Sequence, residues 1–229
     1  SRLGMVEAIW GEHKSADQLA QIIAEVHQQG ELALATRVCA DKALAVEAQL
    51  GAGVIAYDPI ARCLHSPELP ALRPELGQVA IVSGGSSDLP VAREAQLALH
   101  CHRVAAELVL DVGVAGLHRL LGRLDALQQA AVLIVCAGME GALPTVVAGL
   151  LPQPVIGVPV SVGYGVSAGG QAALTGMLAS CAPGLCVVNI DNGYGAAMAA
   201  LRILNCGLKG GLDCGSNCGP SSGGGAAVP

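Results

Sequence analysis

Aromatic side chains are nearly absent from this sequence of 229 residues, which has one tryptophan, three tyrosines and no phenylalanine. Basic residues are also few. Twelve lysines and arginines stand against eighteen aspartates and glutamates, which gives a net charge of -6. Nucleic-acid-binding surfaces need basic stripes and usually aromatic stacking platforms. The composition therefore argues against nucleic acid as a partner.

Long hydrophobic runs are missing as well, although 52% of the residues are hydrophobic and only 13% are charged. Polar residues, glycine or proline interrupt every apolar run before the roughly 20 residues that a membrane helix needs. We therefore expect a cytoplasmic protein with no membrane partner and no signal peptide. Because monomers rarely expose large apolar patches, the low charge content also predicts a homo-oligomer.

The nine cysteines include no Cys-x-x-Cys pair and no Cys/His cluster with zinc spacing, so a structural zinc site is not expected. Their number is odd, and Cys136 lies inside an apolar strand pattern. A disulfide framework is therefore not expected either.

The first 75 residues have the pattern of a small α/β appendage. Ser15 opens an amphipathic helix that Gly30 ends, and a second helix is predicted over 41–50 between apolar runs at 32–35 and 54–57. The stretch 67–77 has no periodicity and is typical of a connector. A larger domain is predicted over 76–205, and residues 206–229, with Cys214 and Cys218, are predicted to form a flexible Gly/Ser-rich tail.

Five strand-like runs alternate with helical segments in the larger domain. This alternation predicts an α/β fold with a parallel sheet between two layers of helices, and ligands bind such sheets at the carboxyl ends of the strands. The runs are 79–83, 108–112, 131–136, 155–160 and 185–190.

The most informative segment is Ser83-Gly-Gly-Ser-Ser-Asp88, between the first of these runs and a helix start. Gly84 and Gly85 allow a tight turn, and free N–H groups at a helix start favour a phosphate or carboxylate. Ser86, Ser87 and Asp88 would then face the ligand. In the alternative interpretation, Asp88 is only an N-cap and the serines are turn residues.

Further glycine-rich turns follow the other strands. His118 and Arg119 could bind a phosphate or carboxylate, or simply begin a surface helix. Glu140, between Gly138 and Gly141, is expected to be partly buried and suited to general acid or base chemistry. Cys181 could be buried packing or a thiol directed at the cleft. Asp191 and Asn192 lie in an acidic glycine-rich turn whose signal is weak alone.

Together these segments resemble the PurE aminoimidazole ribonucleotide carboxylase and mutase superfamily over roughly residues 78–200. The order is Ser-Gly-Gly-Ser-Ser-Asp88, Ala-Gly-Leu-His-Arg119, Ala-Gly-Met-Glu-Gly-Ala-Leu-Pro144 and Pro-Val-Ile-Gly-Val-Pro159. Two departures separate the chain from PurE itself. The segment with the PurE catalytic histidine reads Gly141-Ala-Leu-Pro144 here, and residues 1–75 have no PurE counterpart.

Both departures resemble the LarB family, as do Trp10-Gly-Glu-His-Lys14, Ala35-Thr-Arg37, Ser180-Cys181-Ala and Val188-Asn-Ile-Asp-Asn-Gly193. The resemblance implies a PurE-like, Rossmann/flavodoxin-like three-layer fold. It also implies carboxylation of nicotinic acid adenine dinucleotide by CO2, cleavage of its phosphoanhydride and release of AMP. The product, pyridinium-3,5-biscarboxylic acid mononucleotide, begins synthesis of the nickel-pincer cofactor.

The resemblance also implies roles for individual residues. Cys181 would be the nucleophile and Glu140 the proton-transfer group, with Asp88 as a further catalytic residue. Mg²⁺ is expected from the family; its ligands are unknown, although Asp191 offers hard oxygen atoms. The expected assembly is a homo-octamer. The substrate-binding set is Gly84, Gly85, Ser86, Ser87, His118, Arg119, Gly138, Asp191 and Asn192.

Two alternatives stay open at this point. One is PurE-type carboxyl transfer on an aminoimidazole ribonucleotide, and the other is a nucleotide-binding module without turnover. The replaced histidine segment and the Cys181 thiol favour the LarB-type reaction over both.

Overall fold

The structure is a computed structural model that describes residues 5–210, and it contains two sheets. The first belongs to the small N-terminal unit. Its elements are β1 (Ala8–Trp10), α1 (Ala16–Gln28), β2 (Leu34–Thr36), α2 (Ala40–Leu50), β3 (Ala56–Asp58) and β4 (Cys63–His65).

The second sheet belongs to the larger unit and confirms the predicted α/β fold with a parallel sheet. Its strands are β5 (Gln78–Ser83), β6 (Ala105–Val109), β7 (Val132–Ala137), β8 (Val155–Pro159) and β9 (Cys186–Val187). The helices are α3 (Leu89–Cys101), α4 (Leu117–Leu121), α5 (Leu124–Leu127), α6 (Ala142–Leu150), α7 (Gln171–Leu178) and α8 (Gly193–Gly210).

The strand order β6-β5-β7-β8-β9 places β5 between two strands that follow it in the chain. All four neighbouring pairs are parallel. The winding therefore reverses at β5, and in doubly wound sheets such a reversal opens a crevice at the carboxyl ends of the strands. Alternate residues of β5 face opposite layers: Val79 and Ile81 pack with α3 and α8, whereas Ala80 and Val82 pack on the other side.

The small unit has a mixed sheet of order β1-β2-β4-β3, in which only β1 and β2 are parallel. The predicted start of α1 is confirmed by a capping box, because the Ser15 hydroxyl accepts from the N–H of Gln18 and the Gln18 side chain accepts from the N–H of Ser15. The runs predicted at 32–35 and 54–57 correspond to β2 and β3, each two residues later. β1 and β4 were not predicted.

Three predicted boundaries are wrong. The strand predicted over 185–190 forms only the two-residue strand β9. The strand predicted over 108–112 is β6, three residues earlier, because it is an edge strand whose exposed Glu107 breaks the apolar run. The tail predicted from residue 206 begins inside α8, which continues to Gly210 because each residue added to an existing helix gains a hydrogen bond. Cys214, Cys218 and the rest of the predicted tail lie outside the described residues.

The small unit packs against α3 of the larger one. Leu34, Ala61 and Cys63 belong to the apolar core that contains residues of α3 and α8. Polar contacts between the two units lie near both ends of α3. Arg93 Nε donates to Asp58 Oδ2 over 2.8 Å, and the backbone N–H of Val6 donates to His102 Nε2 over 2.9 Å. Within residues 5–210, no helix combines the length and hydrophobicity that a membrane span requires.

Candidate active site

A cavity of about 480 Å³ opens at the carboxyl ends of β5 and β7, where the winding of the sheet reverses. Its walls are the turns that follow β5, β6, β7 and β8. Six of the predicted site residues line it: Gly84, Gly85, Ser87, Asp88, Gly138 and Glu140.

Asp88 connects the two strands that flank this point. Its Oδ2 accepts from the N–H of Gly85, 2.9 Å away, and its Oδ1 accepts from the N–H of Gly138, 3.2 Å away. The side chain is buried, and burial raises the pKa of Asp88 above its ordinary value although these N–H groups oppose the shift. Asp88 stands at the N-cap position of α3, but its side chain makes no capping bond to that helix and instead joins the two turns.

The glycine turn after β5 does not offer the free N–H groups that the sequence predicted. The N–H of Gly84 donates to the carbonyl of Cys136, and that of Gly85 donates to Asp88. In the turn after β6, the N–H of Gly113 is also engaged, because it donates to the carbonyl of Gly84 over 3.0 Å. A Cβ on Gly113 would lie 2.6 Å from that carbonyl oxygen, so these two turns pack backbone on backbone. The N–H groups of Gly84, Gly85 and Gly113 are therefore engaged within the protein and hold the sheet edge together.

Glu140 lines the cavity at the start of α6, but its side chain is exposed, so the expected partial burial is wrong for this chain. The reason is local. Met139 at φ 52° and Gly141 at φ 67° turn the chain sharply outward before α6 begins. The backbone of this turn packs against α7, where a Cβ on Gly176 would lie 2.4 Å from the carbonyl oxygen of Glu140.

Cys181 is exposed, just beyond the end of α7, and does not line the cavity. Ser180, the residue before Cys181, is hydrogen-bonded to α6, the helix that follows Glu140. The Thr145 hydroxyl, in the first turn of α6, donates to the Ser180 hydroxyl over 2.8 Å. Cys63, Cys101 and Cys136 differ from Cys181 because they are buried, and burial raises the pKa of each thiol. Of these four thiols, only that of Cys181 is open to a ligand.

The other predicted binding residues lie outside this cavity. His118 and Arg119 are exposed on α4, as in the surface-helix interpretation, and Arg119 forms an ion pair of 3.1 Å with Asp111. Asn192 accepts from the N–H of Gly195 and so caps the start of α8. Ser86 is exposed beside the cavity.

Asp191, at φ 53°, lies at the carboxyl end of the sheet but lines a different cavity. Its Oδ1 accepts from the N–H of Ser161 over 2.8 Å. This bond holds the turn after β8, whose next residues, Val162, Gly163 and Tyr164, line the main cavity. Val162, Gly163 and Tyr164 are not among the predicted site residues, although the Gly163-Tyr164-Gly165 pattern after an apolar strand is a signal in the sequence.

Charge is distributed unevenly around the main cavity. Within residues 5–210, its lining includes the carboxyl groups of Asp88 and Glu140 but no lysine, arginine or histidine. The remaining lining is largely apolar or glycine, with Val114, Leu143 and Tyr164 as examples.

Residues 5–210 contain no group of three or more His, Cys, Asp or Glu side chains that could hold a metal ion. Asp191, the candidate named from the sequence, already uses Oδ1 for the N–H of Ser161. The side chains of one protomer therefore do not fit a resident Mg²⁺ ion, and Mg²⁺ stays a prediction that rests on the resemblance.

Comparison with known families agrees with this geometry. The model of the AIR carboxylase family matches residues 78–210, and that of the LarB/PurE-like N-terminal domain matches residues 1–68. The chain belongs to the LarB family of the PurE/AIR carboxylase superfamily. The two matches cover the two units separated in the structure, which confirms the resemblance seen in the sequence.

The chain is also similar to individual proteins. An uncharacterised protein of Methanocaldococcus jannaschii is 38% identical over 204 residues, covering 87% of this chain and 78% of its own. An N5-carboxyaminoimidazole ribonucleotide mutase of Pyrococcus abyssi is 35% identical over 141 residues, covering 56% of this chain and 74% of its own. A crystal structure of a Treponema denticola PurE2 variant superposes with a TM-score of 0.43 at 19% identity, over 58% of this chain and 90% of that one.

The bridging role of Asp88 predicts a measurable cost for Asp88→Asn. The amide group can accept from only one of the two N–H groups, and its own NH2 then faces the other. We expect a loss of about 1–3 kcal/mol in the free energy of unfolding. Urea unfolding at fixed protein concentration measures it, with the exposed Ser86→Ala, expected within about 0.5 kcal/mol of the parent, as control. Equal stability of Asp88→Asn and the parent would contradict the bridge.

Proposed function

We propose that this protein carboxylates nicotinic acid adenine dinucleotide at C5 of its pyridinium ring and hydrolyses the phosphoanhydride, releasing AMP. The product would be pyridinium-3,5-biscarboxylic acid mononucleotide, the first intermediate of the nickel-pincer cofactor. The observation that carries the proposal is the order of the two family matches on one chain, the LarB/PurE-like N-terminal domain followed by the AIR carboxylase domain.

The chemistry needs a nucleophile before it needs a base. A pyridinium ring is electron-poor and does not attack CO2. Addition of a thiolate to C4 sends the electron pair to the ring nitrogen and leaves C5 with enamine character. C5 then forms the new bond to CO2. A base removes the C5 proton, the thiolate leaves C4, and the ring recovers its aromaticity, so the net change is replacement of a C5 proton by a carboxylate.

The site supports this assignment in two respects. Glu140 offers an exposed carboxylate beside a cavity in which no described lining residue is basic, which suits the positive charge on the nitrogen of a pyridinium ring. Cys181 is exposed, and a thiolate is both a strong nucleophile and a good leaving group. In this proposal Cys181 adds to C4, Glu140 removes the C5 proton, and the Ser87 hydroxyl offers a hydrogen bond to a ring carboxylate.

The PurE-type reaction is the second candidate, favoured by the mutase relative. Its aminoimidazole substrate requires no thiol. The Gly141-Ala-Leu-Pro144 segment has no histidine in place of the PurE catalytic one. These two features make it the weaker proposal, and a binding module without turnover would need neither Cys181 nor Glu140.

Cys181→Ser is expected to abolish product formation, because a serine hydroxyl is a far poorer nucleophile than a thiolate at neutral pH. The measurement is mass spectrometry of the products from nicotinic acid adenine dinucleotide and bicarbonate. Incubation with NAD should give the parent protein a reversible dihydropyridine-like absorbance that the variant lacks. Cys186→Ser, at another exposed cysteine, is the matched control and should keep both signals. Full activity of Cys181→Ser would remove thiolate catalysis from the proposal.

Glu140→Gln is expected to separate thiolate addition from turnover. Addition to C4 needs no base, so the dihydropyridine-like absorbance should persist, whereas product formation should fall about 10²-fold or more. Glu107→Gln, on the exposed edge strand β6, should leave both unchanged. Loss of dinucleotide binding in a folded Glu140→Gln protein would make Glu140 a binding residue and assign the proton to Asp88 or His118.

Assembly as a homo-octamer is part of the proposal. The turn after β8 and the following α7 expose apolar side chains, with Val166 95%, Tyr164 78% and Leu178 67% accessible. Tyr164 also lines the main cavity, so contact with a second copy of the chain would enclose the site. Light scattering at micromolar concentration should give the mass of eight chains. A monomer would contradict this assembly.

A further inference from the structure

A second cavity, of about 260 Å³, lies between the small unit and the larger one, and no step proposed above uses it. It adjoins the main cavity, because Ser87 and Val162 line both. A ligand seated in the main cavity can therefore extend past Ser87 toward the small unit. The charged residues of this second cavity are Glu12, Arg37, Arg62, Glu94 and Asp191.

Two arginines from the small unit face this cavity, in contrast to the main one. Both adopt left-handed backbone conformations, Arg37 at φ 56° after β2 and Arg62 at φ 53° before β4. Such conformations are uncommon for residues other than glycine and persist where the surrounding structure enforces them. The two turns bind each other, since the N–H of Val38 donates to the carbonyl of Arg62 over 2.8 Å. The fold thus holds two guanidinium-bearing turns side by side.

Two of the three carboxyl groups of the second cavity, those of Glu94 and Asp191, accept hydrogen bonds from backbone N–H groups. Glu94 is buried and its Oε1 accepts from the N–H of Tyr194 over 2.8 Å; burial also raises the pKa of Glu94, which favours its neutral form. Asp191 uses Oδ1 for the N–H of Ser161. Among the described residues, Arg62 has no carboxylate partner.

Arg37 is partly engaged. One of its Nη atoms donates to the carbonyl oxygen of Asp191 over 3.0 Å, and the other lies 3.6 Å from Glu12 Oε2. The contact with Glu12 is long and exposed, so it contributes little stability. The Glu12 carboxylate therefore lies where a ligand phosphate would contact Arg37, and it holds the Arg37 side chain only weakly.

We infer that the second cavity is the subsite for the phosphate and nucleoside half of a dinucleotide, with Arg62 and Arg37 as its phosphate-binding residues. This inference rests on the proposed function and adds the residues that distinguish a dinucleotide from a mononucleotide. Guanidinium groups bind phosphate oxygens through paired, charge-assisted hydrogen bonds. The ring lies in the cavity lined by Asp88 and Glu140, and the phosphate of the AMP half lies in the cavity lined by the two arginines.

The test compares the two halves of the dinucleotide as separate ligands. Isothermal titration calorimetry measures the affinity of the full-length protein for AMP and for nicotinic acid mononucleotide. Arg62→Asn should weaken AMP binding about tenfold or more and change mononucleotide binding less than twofold. Asparagine removes the charge and tolerates the left-handed backbone, which limits the risk of misfolding.

Three further measurements separate charge from structure. Arg62→Lys should lose less affinity than Arg62→Asn, because it keeps the charge without the paired hydrogen bonds. Glu12→Gln should tighten AMP binding, because it removes the carboxylate that competes for Arg37. Arg103→Asn is the matched control, an arginine at φ 67° before β6 at the opposite end of the sheet, and should change neither affinity.

The position of the ligand can be read from Trp10, the one tryptophan of the chain, whose Nε1 donates to Glu12 Oε2 over 3.3 Å. AMP should change its fluorescence, and Arg62→Asn should weaken that response. If AMP binds the parent and Arg62→Asn equally, or does not bind the parent at all, the inference is overturned, whether or not carboxylated product forms. If AMP binding depends on Arg62 but no carboxylated product forms, the subsite stands and the proposed reaction fails.

Discussion

The site depends on one carboxylate that replaces a ligand at the centre of the sheet. Asp88 accepts from backbone N–H groups after β5 and after β7, the two strands between which the winding reverses. In many doubly wound proteins a bound phosphate occupies this kind of position. Here the Asp88 carboxyl group joins the two turns, so the protein itself builds the wall of the cavity above β5 and β7.

The two cavities are complementary in charge. The main cavity has Asp88 and Glu140 and no basic residue, whereas the adjoining one has Arg37 and Arg62. The substrate of the proposed function has a pyridinium ring that bears a carboxylate at one end and a negatively charged phosphoanhydride in the middle, and the two arginines are suited to the phosphate. In the proposed function the small unit would supply the phosphate-binding groups, because both arginines come from it. A PurE-like domain alone would contain only the acidic half.

The sequence was sufficient to predict the architecture. Short apolar runs alternating with helices determine a parallel sheet, and the capping box at Ser15 and Gln18 determines where α1 begins. The same reasoning located the turns that form the main cavity, because turns after parallel strands meet at one edge. The exposure of Glu140 could not be predicted, since it follows from the outward turn at Met139 and Gly141. The position of Arg37 and Arg62 beside the second cavity could not be predicted either. It depends on contact between the small unit and residues near β8 and α8, which are distant in the chain.

The small unit is attached to the larger one at more places than the connector. The backbone of Val6 is held in both directions, since its N–H donates to His102 Nε2 and its carbonyl accepts from the Tyr194 hydroxyl over 2.8 Å. Arg93 and Asp58 join the units at the other end of α3. With polar contacts at both ends and apolar packing between them, the small unit has no free axis about which to rotate. These contacts fix the distance between the arginines and the main cavity. In the proposed function, that fixed distance would favour ligands of one length.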